Sequence, residues 1–185
     1  MSTFLPTGLQ QITLILLRTL IGWHFAWEGF VKLWWPSWSR GGWPLAHWSA
    51  AGYLQGATGP FADFFRGLAD SSWMPVFDVL IAVALLLTGL SLMLGLFTQV
   101  GTLSALVLLA LIYALYIPTY GVIVPGTEGN YLYVNKNLVE AAAVLVLLVF
   151  RTGRIAGLDL LLAHRRLRKA SEGVEPAEAA SEATS

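Results

Sequence analysis

Apolar residues gather in four long blocks, roughly Leu9 to Leu33, Met74 to Leu94, Gln99 to Ile117 and Val134 to Phe150. A bilayer core about 30 Å thick takes about 20 apolar residues in a helix. Each block therefore predicts a membrane-spanning helix. Pro75 marks a helix start and Pro118 a stop. Gly95 to Gly101 predicts a tight link, and Pro118 to Gly129, with Pro and Gly at intervals, predicts a loop. No Lys or Arg precedes the first block, where a secretory signal carries its charged region. The first charge, Arg18, lies inside the block, which reads as a permanent helix.

The stretch from Trp34 to Trp73 breaks this pattern. It is too polar to span, yet it holds six of the eight tryptophans: Trp34, Trp35, Trp38, Trp43, Trp48 and Trp73. Indole rings favour the headgroup zone, ring in apolar surroundings and N–H in water. Phe61, Phe64, Phe65 and Leu68 recur at helical spacing, with Asp63, Arg66 and Asp70 mostly on the other side. That pattern predicts a short helix, either lying in the interface or packed over the bundle mouth as a lid.

Composition agrees with a lipid environment. The 185 residues are 56% hydrophobic and 12% charged, with a mean hydropathy of +0.66. A soluble domain usually carries about 25% charged residues. The formal net charge is zero, so no global pull toward nucleic acid is expected. The chain has no cysteine, which excludes disulfides, iron–sulfur ligation by thiolates and thiol catalysis. The expected organisation is a membrane domain over residues 1–157, a basic amphipathic juxtamembrane segment over 158–170, and a disordered tail over 171–185 rich in Glu, Ala and Ser. The juxtamembrane segment suits anionic inner-leaflet lipid.

Basic residues predict the orientation. Arg151, Arg154, Arg165, Arg166, Arg168 and Lys169 come after the fourth block, against Arg40 and Arg66 in the opposite loops. The positive-inside rule then places both termini in the cytoplasm of a multi-pass cell-membrane protein. The Trp-rich loop and the Pro118–Gly129 loop face outside.

Ionisable groups in a span cost at least about 2.5–3.5 kcal/mol each near the bilayer centre. The first block carries Arg18, His24, Glu28 and Lys32; the second begins with Asp78; the fourth carries Lys136 and Glu140. Glu28 and Lys32 are one helical turn apart, as are Lys136 and Glu140. Where the first and fourth helices touch, Glu28 can meet Lys136 and Lys32 can meet Glu140. Such a cluster is a ligand or ion site, with Glu28, Lys32, Lys136 and Glu140 as catalytic candidates, or a structural staple. Arg18, Gly22, Phe25, Gly29 and Lys32 share broadly one face, where small residues admit a neighbouring helix or a flat ligand. Arg18 itself reads as functional or as snorkelling to the inner headgroups. His24 reads as a hydrogen-bonded packing residue, and as the sole spanning histidine it cannot form a bis-His haem site. The Gly89, Gly95 and Gly101 series reads as close helix packing. No phosphate loop, metal-ligand cluster or nucleophile motif is present in the sequence. No metal, haem or iron–sulfur group is expected within the chain. Any electron transfer would draw on a bound organic carrier or a partner subunit.

Four segments together resemble the DoxX/DoxD family of small four-helix membrane proteins. They are the Arg18, Gly22, Phe25, Gly29, Lys32 spacing; TGLSLMLGLFTQVG from Thr88 to Gly101; GNYLYVNKNLVEA from Gly129 to Ala141; and GYLQGATGPFADFF from Gly52 to Phe65. The resemblance spans roughly Leu9 to Phe150. It departs at Gln99, where family members often carry a basic residue. It implies an all-α, integral membrane four-helix bundle and a link to quinone chemistry. The family's named activity is thiosulfate:quinone oxidoreductase, in which two thiosulfates join as tetrathionate and electrons enter the quinone pool. Other members are associated with oxidative-stress complexes. The resemblance thus implies a quinone-linked oxidoreductase subunit. The alternative is a non-catalytic membrane subunit of a larger redox complex. Ligand-binding candidates are Arg18, Trp27, Gly29, Lys32 and Asn137, with Trp23, Trp27 or Tyr131 against a quinone ring near Gly29. Possible partners are the lipid bilayer, a quinone, a second redox subunit docked on the outer loop, and further copies of the chain; a transporter is disfavoured by the lack of inverted repeats.

Overall fold

Each predicted block becomes a helix, and turn chemistry sets its ends. The computed structural model describes residues 7–38, 48–117, 133–165 and 168, with the side chains of 35–38 excepted. Among these residues all regular elements are helices: α1 Gly8–Trp38, α2 Ala51–Gln55, α3 Ala62–Ala69, α4 Met74–Leu94, α5 Thr98–Leu115 and α6 Lys136–Val149. A 3₁₀ turn at Thr152–Arg154 comes next, and residues 158–165 are again helical. Trp43, Arg40, the Pro118–Gly129 loop, Tyr131, Arg166, Lys169 and the tail lie outside the described residues.

α4 has Pro75 in its first turn, where the missing N–H costs nothing, and ends at Gly95 in the left-handed region (φ 63°). The link to α5 is shorter than the predicted Gly95–Gly101, because the helix resumes at Thr98 once Phe97 turns the chain with φ 51°. Gly101 sits inside α5, where its missing side chain makes room for the Ser91 hydroxyl. The Asn135 side chain caps α6 by accepting from Leu138 N–H at 3.0 Å. α6 is the shortest of the four long helices, and the left-handed turn at Arg151 (φ 47°) separates it from the 3₁₀ turn.

α1, α4, α5 and α6 pack up-down-up-down, each against the next, and α6 returns to touch α1. The α1–α4 interface is the most extensive and α6–α1 the thinnest. Ile21, Phe25, Leu85, Leu92, Ala105, Leu109, Val144 and Leu147 fill the centre. A second core at the other end, Ala50, Leu54, Ala57, Phe65, Ala69 and Met74, seats the α2–α3 segment on α4 and α5. Thr58 and Gly59 N–H groups donate to Leu115 O there, and Ala50 N–H donates to Asp78 Oδ1 at 2.8 Å. The aromatic stripe of α3 is therefore split. Phe65 is buried over the bundle mouth, whereas Phe61 and Phe64 face outward. The helix is lid and outward-facing aromatic surface together.

α4 and α5 are long and apolar enough to cross a membrane. Their outward faces are apolar too: Val76, Leu80, Leu87, Leu94, Val100 and Val107 are all exposed.

Candidate functional site

Gly22 and Gly29 on α1 serve helix packing. A Cβ on Gly29 would lie 2.4 Å from Leu86 N, and one on Gly22 would lie 2.8 Å from Met93 N. Across the interface, a Cβ on Gly89 would lie 2.1 Å from Ala26 N. Of the two readings of this face, the neighbouring helix is the occupant, and no space remains beside Gly29 for a flat ring. The stacked Trp23 and Trp27, with ring centroids 5.9 Å apart, face outward from the bundle instead.

Polar groups meet where α1 and α6 touch. His24 Nδ1 lies 2.6 Å from Glu140 Oε1, which makes the imidazole the donor to the carboxylate. The two side chains are 44% and 13% exposed. Beside them opens a groove of about 340 Å³ lined by Ile21, Val134, Asn135, Lys136, Val139 and Glu140. Lys136 is exposed at its edge, and Asn137, one residue on, is partly buried. The expected cross-pairs are not the ion pairs formed within 4 Å. Glu140 takes His24, and Lys32 bonds Glu28 on its own helix, its ammonium also lying 5.5 Å from the centre of the Trp48 ring. The reason is reach: Glu28 lies one helical turn from Lys32, so the local pair forms without help from α6.

Arg18 lies at the opposite end. It is 3% exposed, and its Nη1 donates to Thr152 O at 3.1 Å and Ala156 O at 2.7 Å. The guanidinium thus clamps the turn after α6 instead of snorkelling. The same turn carries Asp159, whose carboxylate accepts from Phe97 N–H at 2.7 Å, Thr98 N–H at 2.9 Å and Thr98 Oγ1–H at 2.8 Å. Asp159 N–H in turn donates to Gly95 O at 2.9 Å. Asp159 is therefore the N-terminal cap of α5, supplied from about sixty residues downstream. Burial opposes its ionisation, but the Thr98 and Phe97 hydrogen bonds and the nearby Arg18 charge outweigh that and hold its carboxyl below the ordinary range. Gly95 and Gly157 touch backbone to backbone at this node, each with positive φ.

The sequence pattern marks His24 as a hydrogen-bonded packing residue, which it is, without naming Glu140 as its partner, and it passes over Asp159 and Asn135 altogether. Asp159 does carry a signal, since it is the sole acid in an otherwise basic segment. Among the described residues no group of three or more acidic or histidine side chains comes together to hold a metal ion. Comparison of the chain with protein-family models, with curated proteins and with solved structures finds no match to any of them.

Proposed function

We propose that the chain is an integral protein of the cell membrane, crossing it four times through α1, α4, α5 and α6 with both termini in the cytoplasm, and that it serves as a quinone-linked oxidoreductase subunit of the DoxX/DoxD type. The membrane part rests on α4 and α5, which keep largely apolar outward faces in a packed bundle. A helix with an outward apolar face needs either further protein or lipid against it, and among the described residues nothing covers the outward faces of α4 and α5. α6 is short for a span, and its crossing requires the flanking residues 133–135 and 150–155 to reach the interfaces.

The single observation that carries the redox part is the His24–Glu140 pair beside an apolar groove that opens sideways between α1 and α6. Its volume lies at the low end of small-ligand sites, which are mostly apolar with a few convergent polar groups. A bound quinone supplies a two-electron, two-proton acceptor. His24 and Glu140 are placed to hold and pass a proton at the groove, with Glu140 orienting the imidazole through Nδ1. Lys136 offers a positive charge to an anionic co-substrate such as thiosulfate at the outer end. Ile21, Val139 and Val134 exclude water from the wall.

A second reading, a non-catalytic subunit, is favoured by a different observation. Arg18 and Lys32 are already engaged within the chain, and the aromatic outer face of α3 suits a docked partner. The experiment that separates the readings is thiosulfate-dependent reduction of a soluble quinone analogue by the detergent-purified chain, alone and with co-purifying proteins. Turnover by the chain alone that is lost in Glu140→Gln supports the first reading. Turnover only with co-purified proteins supports the second. No turnover in either preparation removes the thiosulfate assignment.

A further inference from the structure

The end of the bundle opposite the α2–α3 lid carries unpaired positive charge beside an unpartnered apolar face. Arg151, Arg154 and Arg165 are exposed, and among the described residues none of them forms an ion pair. The acid nearest in sequence, Asp159, is turned inward onto α5. That inward turn orients the helical segment 158–165. Asp159 and Leu160 lie against the bundle and are partly buried. Leu158, Leu161 and Leu162 are 38%, 59% and 38% exposed, and at i, i+3 and i+4 they share one face. Arg165 falls on that same face one turn further on. Leu158, Leu161, Leu162 and Arg165 on one face, with Arg151 and Arg154 exposed in the turn that leads into it, match a surface that seats in the headgroup layer, leucines in the acyl boundary and guanidinium groups on phosphates.

We propose that this face binds the phosphate headgroups of anionic lipids in the membrane that holds the bundle, with the Asp159 clamp on Phe97 and Thr98 fixing it at the required depth. The inference rests on the membrane part of the proposed function and not on the redox part. To the anionic-lipid expectation for the juxtamembrane segment it adds a residue set, two members of which lie before that segment, and a positioning residue. Each arginine near an anionic leaflet multiplies binding about fivefold, so three of them select anionic over zwitterionic lipid. Asp159 touches no lipid in this arrangement. It acts by holding the segment to α5, so its loss weakens selection while every arginine remains.

The test places the full chain in nanodiscs of phosphatidylcholine with a minor fraction of phosphatidylglycerol. Native mass spectrometry then reads which lipid stays bound. The wild type retains phosphatidylglycerol out of proportion to its abundance. The triple variant Arg151→Gln, Arg154→Gln, Arg165→Gln retains the two in proportion, while Arg66→Gln, at the opposite end, behaves as wild type. Asp159→Asn gives a reduced preference. Proportional retention by the wild type, or a preference untouched by the triple variant, overturns the proposal. A chain that does not enter nanodiscs overturns the membrane reading and this inference with it; a chain that enters without preference overturns this inference alone.

Discussion

His24 on α1 and Glu140 on α6 meet at 2.6 Å across the thinnest interface of the bundle. The contact closes the ring of four helices where packing contributes least. A double-mutant cycle with His24→Ala and Glu140→Ala is expected to give a coupling energy of about 0.6 kcal/mol and no more than about 1.7 kcal/mol, the range for polar contacts between helices in the membrane setting we propose. Additive single effects would mean that the two side chains do not meet in the folded protein.

The α1–α4 interface tolerates no added atoms. Gly89→Ala brings a methyl to 2.1 Å from Ala26 N and Gly29→Ala to 2.4 Å from Leu86 N. Each is expected to cost about 1–3 kcal/mol through forced separation of the helices. Gly67→Ala in α3 meets nothing within 4 Å, and there the gain in helix propensity stabilises by about 0.5–1 kcal/mol. Melting of the three variants in one detergent checks the contrast, which should be opposite in sign.

Asp159 gives the fold a pH dependence. Its native carboxyl is held below the ordinary range, so its contribution is fully present above the unfolded value of about 3.9. As pH falls through the native value the carboxyl is protonated, the unfolded state no longer binds more protons than the native state, and the contribution vanishes. Asp159→Asn should lose about 1 kcal/mol at neutral pH, the usual worth of a helix cap. The gap from wild type should close in acid. A gap that stays constant down to low pH would show that the carboxylate charge is not what holds α5.

Among the described residues, Thr152 Oγ1 and Arg18 Nε are buried without a hydrogen-bond partner. Thr152→Val keeps the shape and removes an unsatisfied hydroxyl, so it is expected to leave stability unchanged or to raise it by about 1 kcal/mol. Arg18→Met removes both bonds to Thr152 O and Ala156 O and should cost more than about 1.5–3 kcal/mol, since those bonds are charge-assisted and buried. A Thr152→Val variant that melts far below wild type would reveal a partner for that hydroxyl.

The four helical blocks are legible in the chain because apolar runs of that length form helices whose side chains must leave water, and Pro75 and Gly95 mark boundaries through backbone chemistry alone. The packing role of the glycines was also within reach, since Gly22 and Gly29 stand two helical turns apart on one face of α1. What spacing cannot supply is the partner of a charge. Glu28, Lys32, Lys136 and Glu140 pair in several ways with the same periodicity, and only the rotation of α1 against α6 sets Glu140 on His24 and leaves Lys32 to its own helix. Arg18 is the same case: a buried guanidinium needs carbonyls, and which turn provides them depends on where the segment after α6 folds back. Asp159 reaches the start of α5 only because Gly95 and Gly157 let two turns touch backbone to backbone. Local chemistry determined the helices, and long-range packing decided which polar groups meet, because pairing energies depend on separations of a few ångströms that no one-dimensional pattern contains.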